Sequence, residues 1–135
     1  MAEYICAARS NRFAVKDKQA FLAWVDEMPG VSAEKMSGER FLLLCEADSG
    51  GWPTGLWDPE TDKEREVDFP LELSEHLAAG EIAVLLEAGF MKLRAIKGEA
   101  VAVNHRGEVL TVSIDDIYEK IEAADWAGHV DRAID

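Results

Sequence analysis

Short apolar runs separated by turn-forming residues recur along most of this chain, and their close spacing is the strongest constraint on its fold. Two of them, residues 41–45 and 82–86, are unbroken and predict buried strands. Most intervals between runs are too short for crossover helices, which excludes a doubly wound parallel sheet. The sequence therefore predicts a single α+β domain over residues 1–135, with a frayed tail at 128–135. We expect a mostly antiparallel sheet of about seven strands with about three helices packed on it.

Three segments have the pattern of helices. Asp17 is a suitable N-cap, and the apolar residues after it recur at intervals of three and four, which predicts a helix over residues 18–28. Pro70 is favourable at a first helical position and predicts a second helix, which Gly80 would end. A third helix is expected near the C-terminus, capped by either Asp115 or Ser113. The apolar face of this third helix consists of Ile117, Ile121 and Ala124.

Glycine-containing turns separate the predicted strands. A β-hairpin is predicted around Gly38, because apolar strand patterns flank it on both sides. A second hairpin is predicted over residues 54–69, with a strand at 54–58, its turn at 59–62 and a returning strand at 64–69. Four further strands are predicted towards the C-terminus. They run over residues 81–88, 91–97, 99–104 and 109–114, with breaks at Gly89 and Gly98.

Negative charge is concentrated in the middle third of the chain. The net charge is −13, and residues 46–90 contain twelve acidic but only two basic residues. Such a charge disfavours direct binding to DNA, RNA or an anionic membrane. Tryptophans beside acidic residues are common at protein interfaces, so this region is predicted to bind a protein partner. The alternative is that Trp52 and Trp57 fold back over a sheet edge. The predicted partner-binding residues are Trp52, Trp57, Asp58, Glu60, Asp62, Glu64, Glu66 and Asp68.

The sharpest form of this hypothesis is mimicry of a nucleic acid. If residues 58–68 formed one extended strand, six carboxylates would line about 33 Å. Such a row could occupy the basic groove of a restriction enzyme or a CRISPR effector, as an anti-restriction or anti-CRISPR inhibitor does. A turn at 59–62 would fold the row in half. A solvated strand edge that resists aggregation is the alternative interpretation of the same residues.

The sequence contains no recognisable catalytic signature, so we expect no catalytic residue, metal site or cofactor. Two alternatives to protein binding remain. One is a small metal-dependent enzyme that uses the carboxylates of residues 58–68 with Glu46 or Asp48. The other is a structural or regulatory module that dimerises through a sheet edge. No secretory signal and no bilayer-length apolar run is recognisable, which predicts a cytoplasmic location.

Two cysteines and two further tryptophans are expected in the interior. Cys6 and Cys45 have neither metal-ligand nor CxxC spacing, so they are predicted to be reduced and buried. Trp24 and Trp126 are placed on or beside predicted helices, where core packing accounts for them.

A set of short motifs is distributed over nearly the whole chain. They are R-S-N-x-F-x-V-K-D at residues 9–17, G-W-P at 51–53, E-I-A-V-L-L at 81–86, A-V-N at 102–104 and D-D-I-Y at 115–118. Together they resemble a widespread family of small bacterial proteins that are often met in mobile-element neighbourhoods. The resemblance covers about residues 4–122. It implies a single domain and a mobile-element role, and it implies no catalytic residues.

Overall fold

The structure, a computed structural model, describes residues 5–46, 51–91 and 95–132. Parts of two predicted elements lie outside these ranges: the strand at 91–97 and the C-terminal tail at 128–135. The strands are β1 (Ile5–Ser10), β2 (Phe13–Ala14), β3 (Val31–Met36), β4 (Arg40–Cys45), β5 (Gly55–Asp58), β6 (Lys63–Glu66), β7 (Ile82–Met91), β8 (Ala95–Asn104) and β9 (Val109–Ser113). The helices are α1 (Lys18–Glu27), α2 (Phe69–Ser74) and α3 (Asp116–Ala124).

Seven of these strands form one antiparallel sheet. Its order is β2-β4-β1-β7-β8-β9, and β3 also pairs with β4. The two remaining strands, β5 and β6, form a separate hairpin. The predicted fold class, an α+β fold with a mostly antiparallel sheet of about seven strands and three helices, is confirmed.

The core lies between one face of the large sheet and the first two helices. Asp17 begins α1 as predicted, because its side chain accepts a hydrogen bond of 3.1 Å from a backbone N–H in the first turn. Phe21 is fully buried, and its ring packs 5.8 Å from Phe13 of β2 and 5.2 Å from Phe41 of β4. Trp24 is buried beside it, as predicted. Burial of these aromatic rings holds the helices on this face, which we call the covered face.

The breaks predicted at Gly89 and Gly98 are wrong, because both residues lie inside strands. Gly89 pairs with Lys97, and Gly98 pairs with Ala88. A Cβ atom at position 98 would lie 2.9 Å from Cγ2 of Ile114. Gly98 therefore allows close packing of Ile114 against β8, and it does not form a turn.

The second hairpin and its helix also differ from the prediction. The strand predicted to reach residue 69 ends at Glu66, because Asp68 caps α2 by accepting a hydrogen bond from a first-turn N–H at 3.2 Å. Phe69 is then the first residue of the helix. The helix ends at Ser74, earlier than the predicted end at Gly80.

The third helix forms as predicted but is capped differently. The side chain of Asp115 makes no capping hydrogen bond. Instead, Oδ2 of Asp116 accepts a hydrogen bond from the backbone N–H of Ser113 at 2.8 Å. No residue of α3 is buried. The predicted core packing of Trp126 is wrong, because this residue lies just beyond α3 and is 74% exposed.

Two polar residues join three strands where β1 ends. The buried Oγ of Ser10 accepts a hydrogen bond from the N–H of Leu43 at 2.8 Å. The side chain of Asn11 accepts one from the N–H of Val84 at 2.8 Å and donates one to the carbonyl oxygen of Ile82 at 3.1 Å. These side chains take the place of backbone ladder bonds to β4 and β7. This part of the R-S-N motif therefore has a structural role.

Candidate functional site

The second face of the large sheet is the most unusual surface of the molecule. Strand pairing aligns a row of side chains across β4, β1, β7, β8 and β9. In that order, the row is Leu44, Arg9, Leu86, Ala100 and Val112. The next row along β1, β7 and β8 is Ala7, Ala88 and Gly98, and Ile114 lies over Gly98. We call these nine residues the open face.

The open face is apolar and exposed. Leu86, Val112 and Ile114 are 45%, 53% and 51% exposed. A groove of about 670 Å³ lies over the open face. Arg9 is the one charged residue of this set. None of the helices in the described ranges contributes a residue to the groove lining.

The sequence of β7 contains a pattern that indicates this surface, although its apolar run was interpreted only as a buried strand. In β7, the side chains of Ala83 and Leu85 point to the covered face and are buried. Strand alternation then directs Val84, Leu86 and Ala88 to the other face. A strand with one solvated face would carry polar residues at those positions, whereas apolar residues at both sets of positions are typical of strands covered on both sides.

Helix α3 is a second apolar surface without a partner. It is amphipathic, and Ile117 and Ile121 share one side of it at a spacing of four residues. Ile117 is nevertheless 51% exposed, and no residue of the helix is buried. Helix α3 thus presents an apolar stripe that the described part of the chain covers only in part, since Ile117 is exposed and Ile121 is half-buried.

The total accessible surface of the chain is larger than that of a compact monomer of the same mass. The chain exposes 9373 Å², whereas a compact monomer of its mass exposes roughly 7,000 Å². The excess of roughly 2,400 Å² is well above the ~800 Å² that each partner buries in an interface of standard size. The exposed residues after α3 contribute to this excess, together with the open face and α3.

The predicted acidic residues lie on and beside the hairpin of β5 and β6. Trp57 pairs with Glu64, and Gly55 pairs with Glu66, so these residues share the outer face of the hairpin. Trp57 is 57% exposed. A turn between Asp58 and Lys63 folds the acidic row in half, and the hairpin interpretation is therefore confirmed.

Several of the predicted partner-binding residues have roles within the fold. Trp52 stacks on Phe69, with ring centroids 5.2 Å apart, and its buried Nε1 has no hydrogen-bond acceptor among the described residues. Oδ1 of Asp58 accepts a hydrogen bond from the N–H of Glu60 in the turn. Asp68 caps α2. Trp57, Glu64 and Glu66 are exposed, as is Asp62 at the turn, and their binding of a partner stays a prediction.

A buried carboxylate lies on the covered face of β7. Glu87 is only 9% exposed, and its Oε2 lies 2.9 Å from Nζ of Lys97. Its Oε1 accepts a hydrogen bond from the backbone N–H of Trp52 at 3.2 Å. The hydrogen bond to Glu87 raises the pKa of Lys97 above its ordinary value. The Glu87 charge is thus compensated within the fold, and the group has no need of a ligand.

Cys6 and Cys45 are buried and form no disulfide with each other, as predicted. Burial, together with the negative charge of Glu87, raises the pKa of the Cys6 thiol. Because the thiolate is the reactive form, a raised pKa makes Cys6 a poor nucleophile. Core packing accounts for both cysteines.

The alternative of a metal-dependent enzyme gains no geometric support from the described residues. Within these ranges, no group of three or more His, Cys, Asp or Glu side chains could hold a metal ion. Asp48, which the alternative invoked, lies outside them. His76 packs against the rings of Phe21 and Trp24, and burial lowers its pKa. None of the described helices has the length and apolar character needed to cross a bilayer.

Comparison with known proteins adds no family or homologue, because no protein family, curated protein or solved structure matches the chain. The resemblance drawn from the short motifs stays a prediction.

Proposed function

We propose that this chain is a non-enzymatic protein-binding protein and that the open face is its main contact surface. The observation that carries the proposal is the exposure of aligned apolar side chains across five neighbouring strands. Exposed apolar patches of several hundred Å² are rare on monomers and are typical of interaction sites. A cytoplasmic location, in which Cys6 and Cys45 stay reduced, is compatible with this role.

The composition of the open face indicates the chemistry of its partner. Leu86, Val112 and Ile114 require an apolar surface that fits a shallow groove. Arg9, in the middle of the same row, favours a partner with a carboxylate opposite it. A nucleic acid is disfavoured, because most of this face is apolar and the chain as a whole carries a charge of −13.

A photo-cross-linking experiment tests this proposal. The photoreactive residue p-benzoylphenylalanine replaces Val112 on the open face or, as a matched control, the exposed Lys18 on α1. After illumination of living cells, we expect the variant at position 112 to form an adduct with a polypeptide, which mass spectrometry identifies. The variant at position 18 should form none. Adducts at neither position, or equal adducts at both, would contradict a contact surface on the open face.

The acidic hairpin is a second candidate surface, favoured by the exposed Trp57 beside Glu64 and Glu66. We propose for it the mimic of a nucleic-acid backbone, which would place the chain among inhibitors of restriction or CRISPR systems. The hairpin keeps its carboxylates close together, which suits a basic groove. This role and a mobile-element origin would be compatible with each other.

Infection of bacteria by phage tests the second candidate. Cells that carry a restriction or CRISPR system should admit more phage when they express the chain. Charge reversal by Glu64→Lys and Glu66→Lys should abolish the protection of the phage, whereas Glu34→Lys on β3 should not. Equal protection by the wild type and the reversed variant would contradict the mimic.

A further inference from the structure

We infer that the open face of one chain is covered by α3 of a second copy, which makes the protein a symmetric homodimer with exchanged helices. This inference rests on the proposed function and specifies the partner. It follows from the placement of α3, from the charges of the two surfaces and from the area that the chain exposes.

Two incomplete layers are present in the same chain. None of the described helices lies on the open face, and α3 is an amphipathic helix of which no residue is buried. Helices pack on sheets by burying an apolar stripe of the kind that Ile117 and Ile121 form. The open face can accept a helix, and α3 can pack on a sheet. Two copies can therefore cover each other's open face by exchanging their helices.

The hydrogen bonds that link β9 to α3 keep the helix away from its own open face. Asp116 Oδ2 accepts from the N–H of Ser113 at 2.8 Å, and the N–H of Ile117 donates to the carbonyl oxygen of Ile114 at 3.3 Å. The helix therefore starts within two residues of the strand, at one edge of the sheet. No residue of α3 lines the groove over the open face. Within the described residues the groove is therefore left without a helix, and α3 of a second copy can supply one.

The charges of the two surfaces are complementary. Arg9 is the charged residue of the open face, and its guanidinium forms a hydrogen bond only with a neighbouring carbonyl oxygen among the contacts described. Helix α3 carries the acidic residues Asp116, Glu119 and Glu122 against a single base, Lys120. An acidic helix laid on the groove would place carboxylates near Arg9. The acidic hairpin contributes no residue to the groove lining.

The dimensions and area also fit. Helix α3 has nine residues and is therefore about 13 Å long, whereas the five-strand row spans about 19 Å. The excess surface of roughly 2,400 Å² per chain is within the range that each partner buries in a permanent homodimer. Two exchanged helices, each with the strands beside it, would bury a large part of this excess.

Sedimentation of four purified full-length proteins provides the first test. They are the wild type, the face variant Val112→Glu, the helix variant Ile117→Glu/Ile121→Glu, and the control Leu71→Glu, which changes a comparably exposed apolar residue on α2. We expect the wild type and the control to be dimers and the face and helix variants to be folded monomers. Circular dichroism checks the fold of each. A helix variant that stays dimeric would overturn the role of α3.

Isotope-coded cross-linking then shows which chain supplies the helix. Protein with p-benzoylphenylalanine at position 117 and natural nitrogen is mixed with ¹⁵N-labelled wild type and illuminated. We expect cross-linked peptides that join residue 117 of one isotopic form to peptides of β1, β7 or β8 of the other. Links within one isotopic form alone would overturn the exchange.

The outcomes also separate this inference from the proposed function. A monomeric wild type that still forms an adduct from position 112 with a different polypeptide in cells would overturn the homodimer and leave the contact surface standing. A monomeric wild type without any adduct would overturn both.

Discussion

Removal of the hydroxyl group of Ser10 should destabilise the protein, although the change deletes a single atom. Ser10 is fully buried, and its Oγ accepts the N–H of Leu43, which is also fully buried, at 2.8 Å. The same hydroxyl donates to the carbonyl oxygen of Asn11 at 2.7 Å. Strand β3 pairs along one edge of β4, and on the other edge the pairing with β1 ends at Leu44 before the pairing with β2 begins at Phe41. Between them the backbone has no ladder partner to offer in place of the serine.

The magnitude follows from the hydrogen bond that is lost. In Ser10→Ala, the N–H of Leu43 is left without a partner and away from water, and such a group costs about 1–3 kcal/mol. The carbonyl oxygen of Asn11 is nearer to the surface and can accept from water, so it adds little. For a chain of this length the midpoint of thermal unfolding falls about 3–4 °C per kcal/mol, which gives a total shift of about 3–12 °C.

Thermal and urea unfolding at one fixed protein concentration measure the effect. Ser32→Ala on β3 is the matched control, because Ser32 is exposed and should change the free energy of unfolding by less than about 0.5 kcal/mol. Equal midpoints for the two alanine variants would refute the argument that Ser10 replaces a ladder bond.

Two further predictions concern the interface and the core. Leu86→Ala should weaken the dimer tenfold to a hundredfold: Leu86 is 45% exposed, so covering it contributes about 0.7–1.4 kcal/mol per copy and twice that by symmetry. Sedimentation equilibrium measures the dissociation constant, which Leu71→Ala on α2 should leave unchanged. His76 has a pKa below its ordinary value because burial disfavours the charged ring, so the unfolded chain binds the proton more tightly and stability should fall as the pH decreases below ~6.5. Unfolding between pH 7.5 and pH 5.5 should show a smaller loss for His76→Gln than for the wild type, and equal losses would contradict the assignment.

Elements with local causes could be predicted from the sequence. Asp17 supplies a cap within its own helix, and Gly38 adopts a positive φ of 73° in the turn between β3 and β4. Neither depends on residues distant in the chain. In contrast, the role of Gly98 depends on Ile114, sixteen positions further on. The pattern around Gly98 alone favoured a break, because glycine is equally common in turns and at close contacts.

The candidate functional site also combines features with local causes and features that depend on residues distant in the chain. Alternating acidic residues were a conspicuous local pattern, yet Asp58 and Asp68 form hydrogen bonds within the turn and the helix cap. The open face involves residues from five strands that are as distant in sequence as Arg9 and Val112. Apolar runs predicted buried strands, but the pairing order was needed to show that one side of these strands has no cover within the described chain. The apolar residues on both faces of β7 were the feature of the sequence that indicated the open face.

The mass of the purified protein in solution tests the homodimer directly. Sedimentation equilibrium of the full chain at moderate salt, up to about 100 μM, distinguishes a monomer from a dimer without any variant. For the homodimer we expect a mass of twice the 14.9 kDa chain. A mass of 14.9 kDa over the whole concentration range would contradict the covering of the open face by a second copy.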